Sequence, residues 1–294
     1  MKTIKVVYPL SNFIQENSES CVMALGFFDG VHLGHQEIIK TAKRIANQKN
    51  LKLAVMTFSP HPTAVIKKGE QVTKYMTPMA IKEKIFKKIG VDILYVVDFN
   101  IQVAQIPHDQ FVKEYLYGLK CKHVVAGFDY KYGFKGKGNM TQLQFDAKGQ
   151  FCVTTVEKQE KCEHKVSSTL LRKLISSGRV EDVPTYLGKQ YEVEGILKRN
   201  RNEYTLHIDS NYFIPCSGSY EVAMIIGDMV TKGVCEVTSN DLPGQLRITT
   251  LYGDLCKESS PAQLHWENFI ADFDMDVFHA QAHLDEIELS MLPQ

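Results

Sequence analysis

A short apolar run, Val22-Met23-Ala24-Leu25, stops at Gly26, and shortly after a second glycine, Gly30, a helical pattern begins. Few arrangements satisfy that order of signals. Four apolar residues closed by glycine fit a buried strand followed by a tight turn. From Gln36 onward Ile38, Ile39, Ala42, Ile45 and Ala46 recur at helical spacing, so His35 is predicted at or near the first turn, where backbone N–H groups lack partners. Those donors and the positive end of the helix dipole attract anions. His32 and His35, three residues apart across that entry, are spaced to aim ring N–H donors at a phosphate, and Gly34 keeps the space between them clear of a side chain.

The same alternation continues downstream. Leu53–Phe58 reads as a second strand, Pro78 opens a helix with Ile81, Ile85, Phe86 and Ile89 on one face, and Ile93–Val97 reads as a third strand. Pro107 opens another helix before the strand His123–Ala126. Repeated strand–helix alternation predicts a parallel sheet covered on both faces, and ligands of such sheets bind beyond the carboxyl ends of strands. Near Leu187-Gly188 the character changes. Tyr191–Ile196, Glu203–Ile208, Tyr220–Ile225 and Leu246–Leu251 alternate polar and apolar residues, as expected of antiparallel strands in a small barrel or sandwich, with one helix expected over Pro261–Ala271. The division is expected as 1–187 and 188–294.

Composition narrows the ligand class. The chain of 294 residues carries 34 basic and 34 acidic side chains, a balance without the long-range field that nucleic-acid partners call for. The N-terminus lacks the apolar core of a signal peptide and no stretch approaches a membrane span, so the expectation is a cytoplasmic enzyme acting on small ligands. Seven scattered cysteines with no C-x-x-C pair suit reduced thiols.

The segment His32-Leu33-Gly34-His35 resembles the H-x-G-H signature of the nucleotidyltransferase superfamily, and the longer string Gly26-Phe27-Phe28-Asp29-Gly30-Val31-His32-Leu33-Gly34-His35-Gln36 resembles the bacterial FAD synthetases in particular. Three later segments agree. Thr57-Phe58-Ser59-Pro60-His61-Pro62 is similar to that family's T-F-D-P-H-P, with Ser59 for the usual aspartate; Gly127-Phe128-Asp129-Tyr130-Lys131-Tyr132-Gly133 is similar to its G-x-[DN]-F-x-[FY]-G; and Val166-Ser167-Ser168-Thr169-Leu170-Leu171-Arg172 is similar to its I-S-S-T-x-x-R, with Leu170 where many members carry arginine.

The resemblance implies an α/β, Rossmann-like nucleotidyltransferase domain followed by a small antiparallel β-barrel. It implies transfer of AMP from ATP to FMN, giving FAD and pyrophosphate with Mg²⁺. The catalytic residues it implies are His32, His35 and Arg172. ATP would meet Gly26, Phe27, Phe28, Asp29, Gly30, Asp129, Ser167, Ser168 and Thr169; the flavin would meet Phe58, Pro60, His61, Pro62, Phe128, Tyr130 and Tyr132; and Asp129 would ligate the metal. Gly133, Gly136 and Gly138 mark the Asp129 loop as a candidate lid.

Bifunctional relatives in this family carry a riboflavin kinase barrel whose phosphate loop is glycine-rich and ends in P-T-x-N. Here the corresponding stretch is Leu197-Lys198-Arg199-Asn200-Arg201-Asn202-Glu203-Tyr204-Thr205-Leu206, without the glycines or that motif, while Ile214-Pro215-Cys216-Ser217-Gly218-Ser219-Tyr220 is similar to a P-x-x-G-x-Y remnant. The expectation is therefore a single-function FAD synthetase whose kinase activity is lost. Two alternatives stand beside it: adenylyl or cytidylyl transfer to another phosphorylated acceptor, and a non-catalytic flavin-binding regulator.

Overall fold

The computed structural model describes residues 1–66, 71–200, 203–238, 242–250, 255 and 258–270. It divides into two compact units, Met1–Ser168 and the chain from Thr169 onward. The helices Ser168–Ser176 and Val183–Leu187 therefore fall almost wholly with the second unit rather than the first.

The first unit is built on a six-stranded sheet: β1 (Lys2–Val6), β2 (Cys21–Leu25), β3 (Lys52–Ser59), β4 (Ile93–Asp98), β5 (Cys121–Gly127) and β6 (Cys152–Val156), in the order β1-β4-β3-β2-β5-β6. Every pairing is parallel. Successive β2 side chains divide between the two faces, Cys21, Met23 and Leu25 entering one apolar cluster and Val22 and Ala24 the other. This explains why the strand reads as an unbroken apolar run rather than an alternating one. Helix Leu33–Lys49 covers the second face through Ile38, Ile39, Ala42, Ile45 and Ala46, and closes on Asn50 in the left-handed conformation. Helix Met79–Ile89 joins it through Phe86. Truncating such fully buried apolar side chains to alanine costs about 2–5 kcal/mol each.

Strand order reverses at β2: the chain proceeds from β2 through β3 to β4 on one side, then places β5 on the other. The carboxyl ends of β2 and β5 thus form the switch point at which sheets of this kind hold their ligands. A two-stranded hairpin, β7 (Glu160–Lys161) with β8 (His164–Lys165), follows β6.

The second unit is a closed antiparallel barrel of β9 (Tyr191–Asn200), β10 (Glu203–Ile208), β11 (Gly218–Ile226), β12 (Met229–Val237), β13 (Gln245–Thr250) and β14 (Ser259–Ile270). Its interior is filled by Val193, Leu197, Leu206, Val222, Met224, Leu264 and Trp266, with the Trp266 indole edge-on to Tyr220 at 5.1 Å. The helix expected over Pro261–Ala271 is absent: Ser259–Ile270 is strand β14, and Ala271 lies outside the described residues. Ala262, Leu264 and Trp266 are buried at every second position, a period that only a strand can direct to one side. Leu251, expected in a strand, also lies outside the described residues.

Candidate active site

Beyond Leu25 the chain must turn sharply to enter helix Leu33–Lys49, and it does so with Phe28 and Val31 at φ 57° and 45°. Bulky and β-branched side chains seldom occupy that left-handed region, at a cost of about 1–3 kcal/mol each. The surroundings hold them there. Phe28 is fully buried, its ring lies so close to Gly26 that a Cβ there would stand 2.9 Å from it, and it meets Phe86 edge-on at 5.8 Å.

Buried polar side chains concentrate on this turn. Among the described residues they are Ser18, Asp29, His32, Thr57, Thr77, Lys82, His123 and Ser219, and Asp29, His32, Thr57, Thr77 and Lys82 all belong to or touch residues 26–32 or are tied to them by hydrogen bonds. The Asp29 carboxylate accepts the Thr77 N–H at 3.1 Å, and the Thr77 hydroxyl accepts the Gly30 N–H at 2.8 Å. The Phe27 carbonyl accepts from the Thr57 hydroxyl at 2.9 Å and from Lys82 Nζ at 2.7 Å. Ser168 Oγ donates to the Asp29 carbonyl at 2.9 Å, bringing the hydroxyl-rich segment to the same turn.

His32 is the N-cap of the helix: its Nδ1 accepts the His35 N–H at 3.2 Å. That bond leaves Nε2 to carry the proton of the neutral ring. The two imidazoles stack face to face, with centroids 3.6 Å apart and planes 17° from parallel. Gly34 allows this closeness, since a Cβ there would press the His32 ring at 3.3 Å. His35 stands edge-on to Phe28 at 5.2 Å, and its Nδ1 is buried with no partner among the described residues. Burial pulls the His32 imidazole down to about 4, against the partial pull of Asp29 and Asp129 in the other direction. Burial, then the adjoining His32 and Lys82, hold His35 well below the ordinary range. At neutral pH both rings are uncharged.

The loop after β5 begins at the switch point. Asp129 is exposed and pairs with Lys165, Nζ to Oδ2 at 2.5 Å, and the same ammonium lies 4.6 Å from the Phe128 ring centroid. Tyr130 is half-buried, and enclosure of its hydroxyl raises its pKa. Tyr132 is buried, with its hydroxyl donating to Asp146 at 2.7 Å, so it anchors the loop from beneath. Gly133 and Gly138 permit close packing: a Cβ at the first would stand 2.6 Å from the His108 backbone, and at the second 2.6 Å from the Tyr132 ring. Exchanged backbone hydrogen bonds between Tyr132 and Gly138 at 2.9 and 3.1 Å tie this part of the loop together.

After β3, Phe58 is half-buried against Phe99, the Ser59–Pro60 bond is cis, and Pro62 begins the helix Pro62–Ile66. His61 packs edge-on to Phe27 at 4.3 Å, and its Nδ1 accepts the Thr63 N–H at 3.1 Å. Residues 58–61 and 26–32 therefore share one neighbourhood. Arg172 and Thr169 fall in the second unit, where the Arg172 guanidinium lies 4.7 Å from the Phe213 ring.

A model of the family described as FAD synthetase matches residues 14–170. The chain belongs to the FAD synthetase family. FAD synthetases are nucleotidyltransferases, FMN adenylyltransferases. A bifunctional riboflavin kinase/FMN adenylyltransferase of Listeria monocytogenes is 42% identical over 82% of this chain and 79% of its own length. One from Bacillus subtilis is 36% identical over 97% of this chain and 88% of its own length. A Listeria monocytogenes protein named only FAD synthetase is 30% identical over 79% of this chain and 93% of its own. Among solved structures, one titled macrolide-efflux protein from Streptococcus pneumoniae superposes with a TM-score of 0.82 at 24% identity over the full length of both chains, a likeness of fold.

The residues that sequence reasoning did not single out are Thr57, Thr77 and Lys82 in their supporting roles. One signal was present for Lys82: it lies four residues before the buried Phe86, hence on the covered side of its helix.

Proposed function

We propose that this FAD synthetase transfers the adenylyl group of ATP to FMN and does not phosphorylate riboflavin. A phosphate oxygen of FMN attacks the α-phosphorus, the bond from that phosphorus to the bridging α–β oxygen breaks, and pyrophosphate leaves with the electron pair. No protein nucleophile is needed. The work is to hold two anions in line and to stabilise charge gathering on the α-phosphoryl and leaving group.

The observation that carries this reading is the stacked pair of buried His32 and half-buried His35 at a helix N-terminus on the switch point. His32 offers Nε2–H, and neutral rings enter the site without the cost of burying charge. An arriving triphosphate would favour their protonation in place. Ser168 and the N–H groups of residues 27–30 add donors, while Phe58, Pro60, His61, Pro62, Phe128 and Tyr130 are assigned to the flavin. Tyr132 serves that side by anchoring the loop. Arg172 and its neighbours Ser167 and Thr169 keep the phosphate role that the sequence motif gives them, and the motif alone supports it.

Asp129 fits Mg²⁺ as a single exposed carboxylate, which suits an ion held mainly by phosphates and water. Among the described residues no group of three His, Cys, Asp or Glu forms a protein cage. When bound, the ion would neutralise charge on the triphosphate.

The barrel supports loss of kinase activity. Where the bifunctional relatives' phosphate loop would stand, β9 and β10 pair continuously from Gly195 with Ile208 to Asn200 with Glu203. Over these described residues the ladder spends its N–H groups on neighbouring strands rather than on a cradle for phosphate. The balanced charge supports small-molecule partners rather than nucleic acid and suits a cytoplasmic enzyme; no described helix is long and apolar enough to cross a membrane.

Chromatography with mass detection tests both halves. FMN, ATP and Mg²⁺ should give FAD and pyrophosphate, and riboflavin with ATP should remain unphosphorylated. Failure of the first refutes the transferase reading; FMN formed from riboflavin refutes the second half alone.

A further inference from the structure

A lysine only 2% exposed inside a protein calls for a reason, because its ammonium gives up water that the interior must replace. Lys82 reaches from the first turn of helix Met79–Ile89 to the turn after β2. There Nζ donates to the Phe27 carbonyl at 2.7 Å and lies 3.8 Å from the centroid of the Phe27 ring. The Thr57 hydroxyl donates to the same carbonyl at 2.9 Å. One peptide oxygen is thereby held by two donors from two different elements.

A trans peptide is planar, so its C=O and the following N–H point in opposite directions. The Phe27–Phe28 bond is not among the cis bonds of the chain. Drawing the Phe27 oxygen toward Lys82 and Thr57 therefore drives the Phe28 N–H the other way, and no described residue accepts a hydrogen bond from it. Phe28 needs such restraint, since its φ of 57° is not one a phenylalanine adopts unaided. We infer that Lys82, seconded by Thr57, is a positioning residue of the nucleotide site: it locks the Phe27–Phe28 peptide so that the Phe28 N–H is aimed at a phosphate oxygen, and it sets a fixed positive charge behind that donor.

The assignment rests on the reading of this turn as the triphosphate site and adds the device that aims it. A preorganised donor acts on the transition state without reorientation. Lys82 also cannot be exchanged for arginine, whose planar fork needs a wider cavity and presents no single compact donor.

The test uses the full chain, with Lys82→Met replacing the ammonium by an apolar group of similar length and Lys82→Arg beside it. Each should lower kcat for FAD formation about ten- to a hundredfold, with FMN affinity within about twofold of wild type. In ¹⁵N-labelled protein, the shift of the Phe28 amide on addition of ATP should be large in wild type and mostly lost in Lys82→Met. Should Lys82→Met fail to fold, Thr57→Val carries the test through the same amide shift, which it should reduce.

A folded Lys82→Met variant with wild-type kcat and an undiminished Phe28 shift overturns the assignment, as does an unchanged shift in Thr57→Val. If wild type makes no FAD, the transferase reading fails by itself, and the amide shift with ATP still decides whether Lys82 positions the turn. Full rescue by Lys82→Arg also counts against it, because it would show that charge alone matters.

Discussion

The two units treat their backbones in opposite ways. At the carboxyl end of β2 the ladder stops at Leu25, the chain accepts strain at Phe28 and Val31, and Asp29, His32, Thr57, Thr77 and Lys82 are buried around that turn to hold it. In the barrel the β9–β10 ladder continues to Asn200 and Glu203, and Ser219 is the one buried polar side chain among the described residues. Phosphate chemistry requires backbone donors that no strand has claimed and polar side chains held in place before the ligand arrives. The first unit is arranged to offer them. Among its described residues the second gives its strand hydrogen bonds to its own closure, and its burial is almost wholly apolar.

The largest expected effect separates these roles at His32. His32→Asn retains an oxygen able to cap the His35 N–H but removes the Nε2 donor. FAD formation should fall about a hundred- to a thousandfold, or roughly 3–4 kcal/mol, while the unfolding midpoint moves little. His35→Ala should lose as much turnover. Stopped assays of kcat beside thermal melts check both, and a His32→Asn enzyme with near-normal turnover removes the histidine pair from the chemistry.

A pH titration of stability gives the next largest effect. Folded His32 titrates at about 4, against 6.5 for an ordinary histidine. Between these values the unfolded chain binds the additional proton, so stability is fully present above about 6.5 and is lost as pH falls toward 4. From pH 7 to pH 5 this histidine should cost the fold about 2 kcal/mol, with His35 contributing in the same direction. Urea unfolding at several pH values measures it. Because the barrel has no comparable buried histidine among the described residues, the slope should follow the first unit and flatten in His32→Asn.

Much of that contrast was legible in the residues. The β2, β3, β4 and β5 strands are short apolar runs and each could be placed from the sequence; His32 and His35 followed from glycine turn and helical spacing. What stayed hidden has physical causes. β1 carries Lys2 and Lys5, and β6 is largely half-exposed, so neither shows the apolar run of an inner strand. In β12 the first residues face solvent and Gly233 interrupts the pattern. Pro261 suggested a helix start in β14, but burial at alternate residues from Ala262 to Trp266 decided for a strand. Lys82 passed as one more charge on an amphipathic helix because only tertiary structure shows Phe27 and Thr57 meeting it.

The smallest expected effect probes the open side of the site. Lys165 is exposed, pairs with Asp129, lies over Phe128 and acts on His32 by charge alone, so it is a cation on the open side of the proposed phosphate site. An exposed pair of this kind is worth up to about 1 kcal/mol and is screened by salt. Lys165→Met should therefore leave the melting temperature nearly unchanged and raise KM for ATP only about two- to fivefold. It should also free Asp129 Oδ2, so that half-maximal activity is reached at lower Mg²⁺. The two shifts run in opposite directions, which a general loosening of the loop would not produce. If neither KM nor the Mg²⁺ midpoint moves, Lys165 belongs to the solvated surface, and the contrast between the units rests on buried groups alone.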